Sequence, residues 1–190
     1  VRVSLVGFGP FFGVDRSSRL DGRPVVKIHS DLTAAQGMDL TQAKQLAENE
    51  CSTFFGLCLA GDFRISGEAA RSWLMLPNPN SRPNSDVVRP IYNGSDVTGR
   101  WADRWVIDFG TAMSEAEASL YEVPFQYLVS SVQPIRAKNA RKSRATYWWR
   151  HGETRPGLRT RLSSLSRYIA TVETAKHRLF FWFPVAVAPE

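Results

Sequence analysis

Between residues 133 and 178 stand Arg136, Lys138, Arg141, Lys142, Arg144, Arg150, Arg155, Arg159, Arg161, Arg167, Lys176 and Arg178, opposed only by Glu153 and Glu173. The remainder of the chain holds twelve Lys/Arg and sixteen Asp/Glu, so the net charge of +6 originates in this one stretch. Tyr147, Trp148, Trp149 and Tyr168 are interleaved with the cations. Guanidinium and ammonium groups neutralise phosphates and release condensed counterions, while aromatic rings and arginine planes pack on sugars and unstacked bases. The chemistry this pattern fits is the binding of a base-carrying polyanion. The same residues also describe a solvated helix face followed by core aromatics, and charge alone does not separate the two readings. Trp148 and Trp149 themselves weigh toward the core, where large indoles are usually found.

Other chemistries lack their parts. Gly7, Gly9 and Gly13 follow the strand-like VRVSLV, but Phe12 stands where a dinucleotide loop needs its third glycine. Pro10-Phe11-Phe12 gives a pyrophosphate no helix start, so the segment reads as a turn. No two prolines are adjacent, so the proline-containing loop with which a base methyltransferase grips its flipped base is absent. The residues two places before the five lysines are Val25, Gln42, Arg136, Ala140 and Thr174, so the acid-x-lysine pattern of common metal-dependent nucleases is missing too. Cys51 and Cys58 supply at most half of a tetrahedral metal site and no disulfide framework. They read as reduced thiols of a cytoplasmic protein. His151 and His177 are present for a hydrolase, but without a Gly-x-Ser-x-Gly elbow. Glu115 and Glu117 belong to a helix start rather than to acid–base work.

The elements that position these residues follow from pattern. The 190 residues, with 43% hydrophobic and 22% charged side chains, are those of a folded chain with one full core or two small ones. The longest apolar run, LFFWFPVAVAP, is too short and too interrupted to span a bilayer, which needs roughly 20 apolar residues. VRVSLV and VVKIH, joined through the Leu20-Asp21-Gly22-Arg23-Pro24 turn, predict a hairpin at a sheet edge over residues 1–29. Asp39 and Gln42 cap an expected helix over TQAKQLAEN, and Ser66 caps one over GEAARSWLML. LPNPNSRPNSD, residues 76–86, is the clearest break, with the boundary of a domain there or just upstream at Gly61. VVRPIY then leads to a turn at Asn93-Gly94, and WVIDF reads as a buried strand.

Ser114 to Glu117 form a capping box, and Phe125, Leu128, Val129 and Val132 share one apolar helix face behind it. Pro124 and Pro134 start or kink helical segments, and the run from Pro134 to about Ala145 reads as a helix with cations on more than one face. Such a helix must be held by ion pairs, a partner or a polyanion. A short helix through LRTRLSSL and a hairpin of RYIATV with HRLFFWF complete the chain. The expected class is α+β, with helices packed on a mostly antiparallel sheet. The chain opens at Val1 in strand-like sequence, which points to a piece of a longer polypeptide.

The blocks NSDVVRPIYNGSDVT (84–98), WVIDFG (105–110), MSEAEASLYEVPFQYL (113–128), the stretch from Pro134 to YWWR, RPGLR (155–159), LSRYIAT (165–171) and KHRLFFW (176–182) closely resemble single-chain restriction-modification enzymes of the type IIL, MmeI-like class. The resemblance covers nearly the whole chain and implies the following. Residues 1–60 are the tail of an N6-adenine DNA methyltransferase domain, their hairpin lying at the edge of its sheet, and residues 61–190 are a target recognition domain. The methyltransferase and nuclease motifs lie upstream, so S-adenosylmethionine serves the parent protein and neither cofactor nor catalytic residue belongs to this segment. Duplex DNA and the upstream domain are the partners. Lys138, Arg141, Lys142 and Arg144 are expected to hold phosphates, and Arg150, Arg155, Arg167, Lys176 and Arg178 to reach the backbone or a groove. Two rivals remain: a scaffold whose basic segment docks an acidic partner or the upstream domain, and a free-standing hydrolase using His151 or His177.

Overall fold

In the computed structural model of the chain, the WVIDF run lies inside the main sheet because its β-branched residues fill the core on both faces. Val106 and Ile107 are fully buried. The structure describes residues 18–29, 32–34, 43–44, 46–177 and 179–190. The chain divides into two units, Val1–Ser52 and Thr53–Glu190.

In the first unit, β1 (Ser18–Leu20) and β2 (Arg23–Val25) form a two-stranded antiparallel hairpin. Asp21 and Gly22 both take positive φ, 51° and 77°, the backbone a two-residue turn of this hand requires. The expected first strand VRVSLV and the Asp39–Gln42 cap lie outside the described residues. The expected helix over residues 41–49 is corrected where it can be seen: Lys44 and Leu46 are not helical, and only Ala47–Asn49 makes a single 3-10 turn. That turn buries no residue and has no side-chain cap, so neither packing nor capping extends it.

The second unit is α+β, with antiparallel pairing dominant. Its four-stranded sheet runs β3 (Arg64–Ser66), β5 (Arg104–Ile107), β4 (Val88–Tyr92), β8 (Ala188–Pro189). β5 is antiparallel to both neighbours, while β8 lies parallel to β4. Ser66 caps α1 (Gly67–Met75), its hydroxyl accepting from the Ala69 amide at 3.2 Å. The proline-rich residues 76–86 connect α1 to β4, and Asn84 anchors them by donating from its side chain to the Trp73 carbonyl. Asn93-Gly94 is not a turn, as expected, but the start of α2 (Gly94–Thr98). The Asn93 side chain accepts the Ser95 and Asp96 amides and the Asp96 carboxylate accepts the Asn93 amide, a reciprocal cap that nucleates a helix.

The capping box at Ser114 and Glu117 opens α3 (Glu115–Ser119). α4 (Glu122–Ser131) follows, and Phe125 and Leu128 from it, with Val132 just beyond, enter the core as their spacing predicts. The expected helix from Pro134 to Ala145 is corrected to two short ones, α5 (Gln133–Arg136) and α6 (Lys142–Thr146). The break has a local cause: the Asn139 side chain accepts the Arg141 amide at 3.0 Å, which takes that donor away from a helical ladder. α7 (Pro156–Leu162) precedes a second hairpin, β6 (Arg167–Thr171) with β7 (Phe180–Pro184), in the register that pairs Ile169 with Trp182. Among the described residues no helix is long and apolar enough to cross a membrane.

Residues 58–60 and 151–153 run side by side and seat the aromatic segment on the core. Gly152 donates to the Leu59 carbonyl and Glu153 to that of Cys58, both at 2.9 Å. A Cβ at Gly152 would stand 2.5 Å from the Ala60 Cβ, an atom with no rotamer to escape into. Gly152→Ala is therefore expected to destabilise the unit by about 1–3 kcal/mol, the range of overpacking, read as a lower urea midpoint with unchanged slope.

Candidate nucleic-acid interface

The cations that cluster in sequence separate in space into three kinds. The first kind is internal. Arg136 follows Val132 by one helical turn and turns inward with it, becoming one of the largest fully buried side chains. Its Nη2 donates to the Leu59 carbonyl at 3.0 Å, with longer contacts to the Arg144 and Arg150 carbonyls at 3.4 Å, and the guanidinium lies over Phe63. Arg150 donates to the Met113 and Ala112 carbonyls and sits against the rings of Tyr147 and Trp149, 4.8 and 5.3 Å from their centroids. Arg155, in the left-handed region at φ 52°, donates to the Gly56 carbonyl and pairs with Glu153 at 2.7 Å. Trp148 and Trp149 are core residues as expected, their indole N–H groups donating to the Glu115 carboxylate and the Met113 carbonyl at 3.0 Å.

The second kind is free. Lys138, Arg141 and Lys142 are exposed on the connection from α5 into α6, and none has a carboxylate partner among the described residues. Arg144, on α6, lines an open cleft of about 340 Å³ together with Arg136, Arg150 and Arg155. The third kind sits on the second hairpin. Arg167 lies 4.2 Å over the Trp182 ring, and Ile169, Phe180 and Trp182 are exposed beside it, a ribbon face that the rest of the described unit leaves uncovered. Lys176 is exposed in the connection between the two strands. Arg178 lies outside the described residues.

The group that ties these parts together is not among the cations. Asp108, at the end of β5, is buried, and Arg159 from α7 grips it with two hydrogen bonds of 2.9 and 2.7 Å. Arg89 of β4 approaches to 3.6 Å and His151 Nδ1 to 3.8 Å. Burial alone would raise the Asp108 carboxyl. The Arg159 fork and its charge, together with the Gly110 amide, reverse this and hold it below the ordinary carboxylate range. The His151 ring is buried as well, and burial outweighs the pull of Asp108 and of the Ile107 carbonyl, so its pKa is lowered. The imidazole is neutral, with Nε2 donating to Ile107 at 2.8 Å, and neither nitrogen bonds a nucleophile. One signal was available: Asp108 is the only charged residue in the apolar run WVIDF.

Both shifts give a pH dependence with a definite sign. The lowered His151 pKa means that only the unfolded state gains a proton as pH falls through about 6.5, so stability drops there. The lowered Asp108 pKa adds stability that is complete above about 4 and disappears as pH falls through the folded value. Urea unfolding of His151→Gln is expected to flatten the decline between about pH 7 and 5.5 while leaving the acid limb. Arg159→Met strands a buried carboxylate and is expected to cost about 3–5 kcal/mol at pH 7, whereas Lys138→Ala and Lys142→Ala stay within about 0.5 kcal/mol. Equal losses for the buried and the exposed cations would overturn this division. No family model, curated protein or solved structure matches the chain.

Proposed function

We propose that the chain is a DNA-binding target recognition module of a bacterial restriction-modification enzyme or N6-adenine DNA methyltransferase. It supplies duplex binding and site specificity to an upstream catalytic domain of the same cytoplasmic polypeptide. The observation that carries this reading is the division of the cations. Arg150, Arg155 and Arg159 are engaged by carbonyls and carboxylates of the fold. Lys138, Arg141 and Lys142, within five residues of one connection, serve no such purpose and face solvent. Unpaired positive charge that the fold does not use is charge presented to something else, and closely spaced cations match the spacing of backbone phosphates. The ribbon adds a second surface of the right chemistry, since Trp182 and Phe180 offer flat apolar faces and Arg167 already stacks on one of them.

In this reading Lys138, Arg141, Lys142 and Arg144 hold phosphates and set register, and Arg167 and Lys176 reach the duplex from the second hairpin. Arg150 and Arg155 contribute through the fold and through the field at the cleft. The binding energy offsets the unstacking that an upstream methyltransferase needs to bring an adenine out of the helix. S-adenosylmethionine belongs to that upstream domain, so calorimetry with this chain should give no heat of cofactor binding.

Duplex binding should weaken steeply with added salt, the logarithmic slope reporting the phosphates engaged. Replacing Lys138, Arg141 and Lys142 together by Ala should make that slope shallower by about 2–3 while leaving the urea midpoint unchanged. A fluorescence-anisotropy titration against random and defined duplexes measures both. An unchanged slope would remove the phosphate role of these residues. Absence of any duplex binding, with capture of an acidic partner domain instead, would favour the docking scaffold.

A further inference from the structure

We propose that the cleft between α6 and the Gly152–Pro156 backbone is a phosphate site, built on Arg136 and Arg144, that takes a single phosphate group. The inference deepens the nucleic-acid reading and rests on it only for the source of that phosphate.

The two buried guanidinium-carbonyl and guanidinium-carboxylate systems of this unit are solved differently. Arg159 faces a buried carboxylate that neutralises it. Among the described residues Arg136, more deeply buried, is met only by carbonyl oxygens, and its Nε has no hydrogen-bond partner there. Burial, and after it the charge of the neighbouring cation Arg144, lower its pKa. Arg144 itself makes no hydrogen bond to a carboxylate among the described residues, and Arg150 spends its bonds on neutral carbonyls. Glu153, the only acid lining the cleft among the described residues, is already paired with Arg155. A wall carrying four guanidinium groups and one carboxylate is therefore strongly positive around an open volume of about 340 Å³. Interior cations that repel one another persist when an anion joins them, and guanidinium forks match phosphate oxygens in geometry.

The backbone opens the site. At Gly152 a Cβ would come within 3.3 Å of the Arg144 Nη2, so the missing side chain lets that guanidinium lie close over the loop. Ser143 and Thr154 line the cleft and add hydroxyl groups suited to the remaining phosphate oxygens. A second, more apolar cleft of about 370 Å³ adjoins it through the shared Arg155 and Pro156, with Phe54 and Phe55 in its wall. That neighbour suits the sugar or base attached to the phosphate. The phosphate can belong to a DNA strand or to a free phosphate ester, and the chemistry of the cleft is the same for both.

The test uses the whole chain. Melting is followed in about 20 mM inorganic phosphate against chloride of equal ionic strength, and a phosphate-specific rise of several degrees is expected for a millimolar site. Arg144→Ala should weaken phosphate binding about tenfold or more and cut the rise by more than half, and Arg144→Lys should restore part of it. No phosphate-specific rise in the parent chain, or an equal rise in Arg144→Ala, overturns the inference. Two further arms identify the source. Duplex DNA that displaces phosphate marks a strand phosphate. Adenosine monophosphate that displaces it while duplex does not marks a free ester, in which case the phosphate site stands and the DNA reading rests on the salt slope of duplex binding alone. Duplex binding with a normal salt slope in a chain that ignores free phosphate leaves the DNA reading standing and removes the site.

Discussion

A carboxylate at the end of a buried strand has to be neutralised where it stands, and the second unit is arranged around how this is done for Asp108. β5 brings it inside the sheet. Arg159 reaches it from α7, Arg89 from β4, and His151 comes within 3.8 Å from the segment after the paired tryptophans. Three elements distant in sequence are thereby held to one point, and two of them belong to the basic stretch. Ionic contacts of this kind are costly to bury and gain their value by fixing geometry once formed. Here the geometry they fix is the seating of residues 147–159 against the sheet.

That seating divides the positive charge. Arginines that arrive near free carbonyls are absorbed into the fold: Arg150 by Met113 and Ala112, Arg155 by Gly56. Lysine and arginine side chains on the α5 to α6 connection meet no such acceptors among the described residues and are exposed. Arg136 stands between the two groups, buried without a carboxylate and beside an open cleft. A basic segment thus serves two physical purposes at once, internal bonding by the fork of the guanidinium and external charge by the ammonium and the unpaired guanidinium.

The second hairpin follows a different rule. Tyr168 is buried, its hydroxyl donating to the Val187 carbonyl, and Phe183 packs on Tyr92 at 4.9 Å, so the inner face of the ribbon is anchored. The alternating residues Ile169, Phe180 and Trp182 then have to point outward, because side chains along a strand alternate between faces. An apolar outer face is a consequence of the sequence being hydrophobic on both sides, as in RYIATV and LFFWF. Its stacking with Arg167 gives it both flatness and charge.

What the sequence determined by itself is local. The caps at Ser66 and Ser114, the inward face of Phe125, Leu128 and Val132, the strand WVIDF, the α+β class and the hairpin near the C-terminus depend on periodicity and on hydrogen bonds three or four residues long, and these are legible one segment at a time. Asn93-Gly94 and the 134–145 segment depart from their sequence pattern because asparagine side chains decide between turn, cap and break by which amide they accept. Only the tertiary structure decided which cations are free. The oxygen atoms that engage Arg136, Arg150 and Arg159 lie 77, 37 and 51 residues away at Leu59, Met113 and Asp108. A guanidinium is available to a partner only if the folded chain brings no acceptor to it, and no spacing within the basic stretch carries that information.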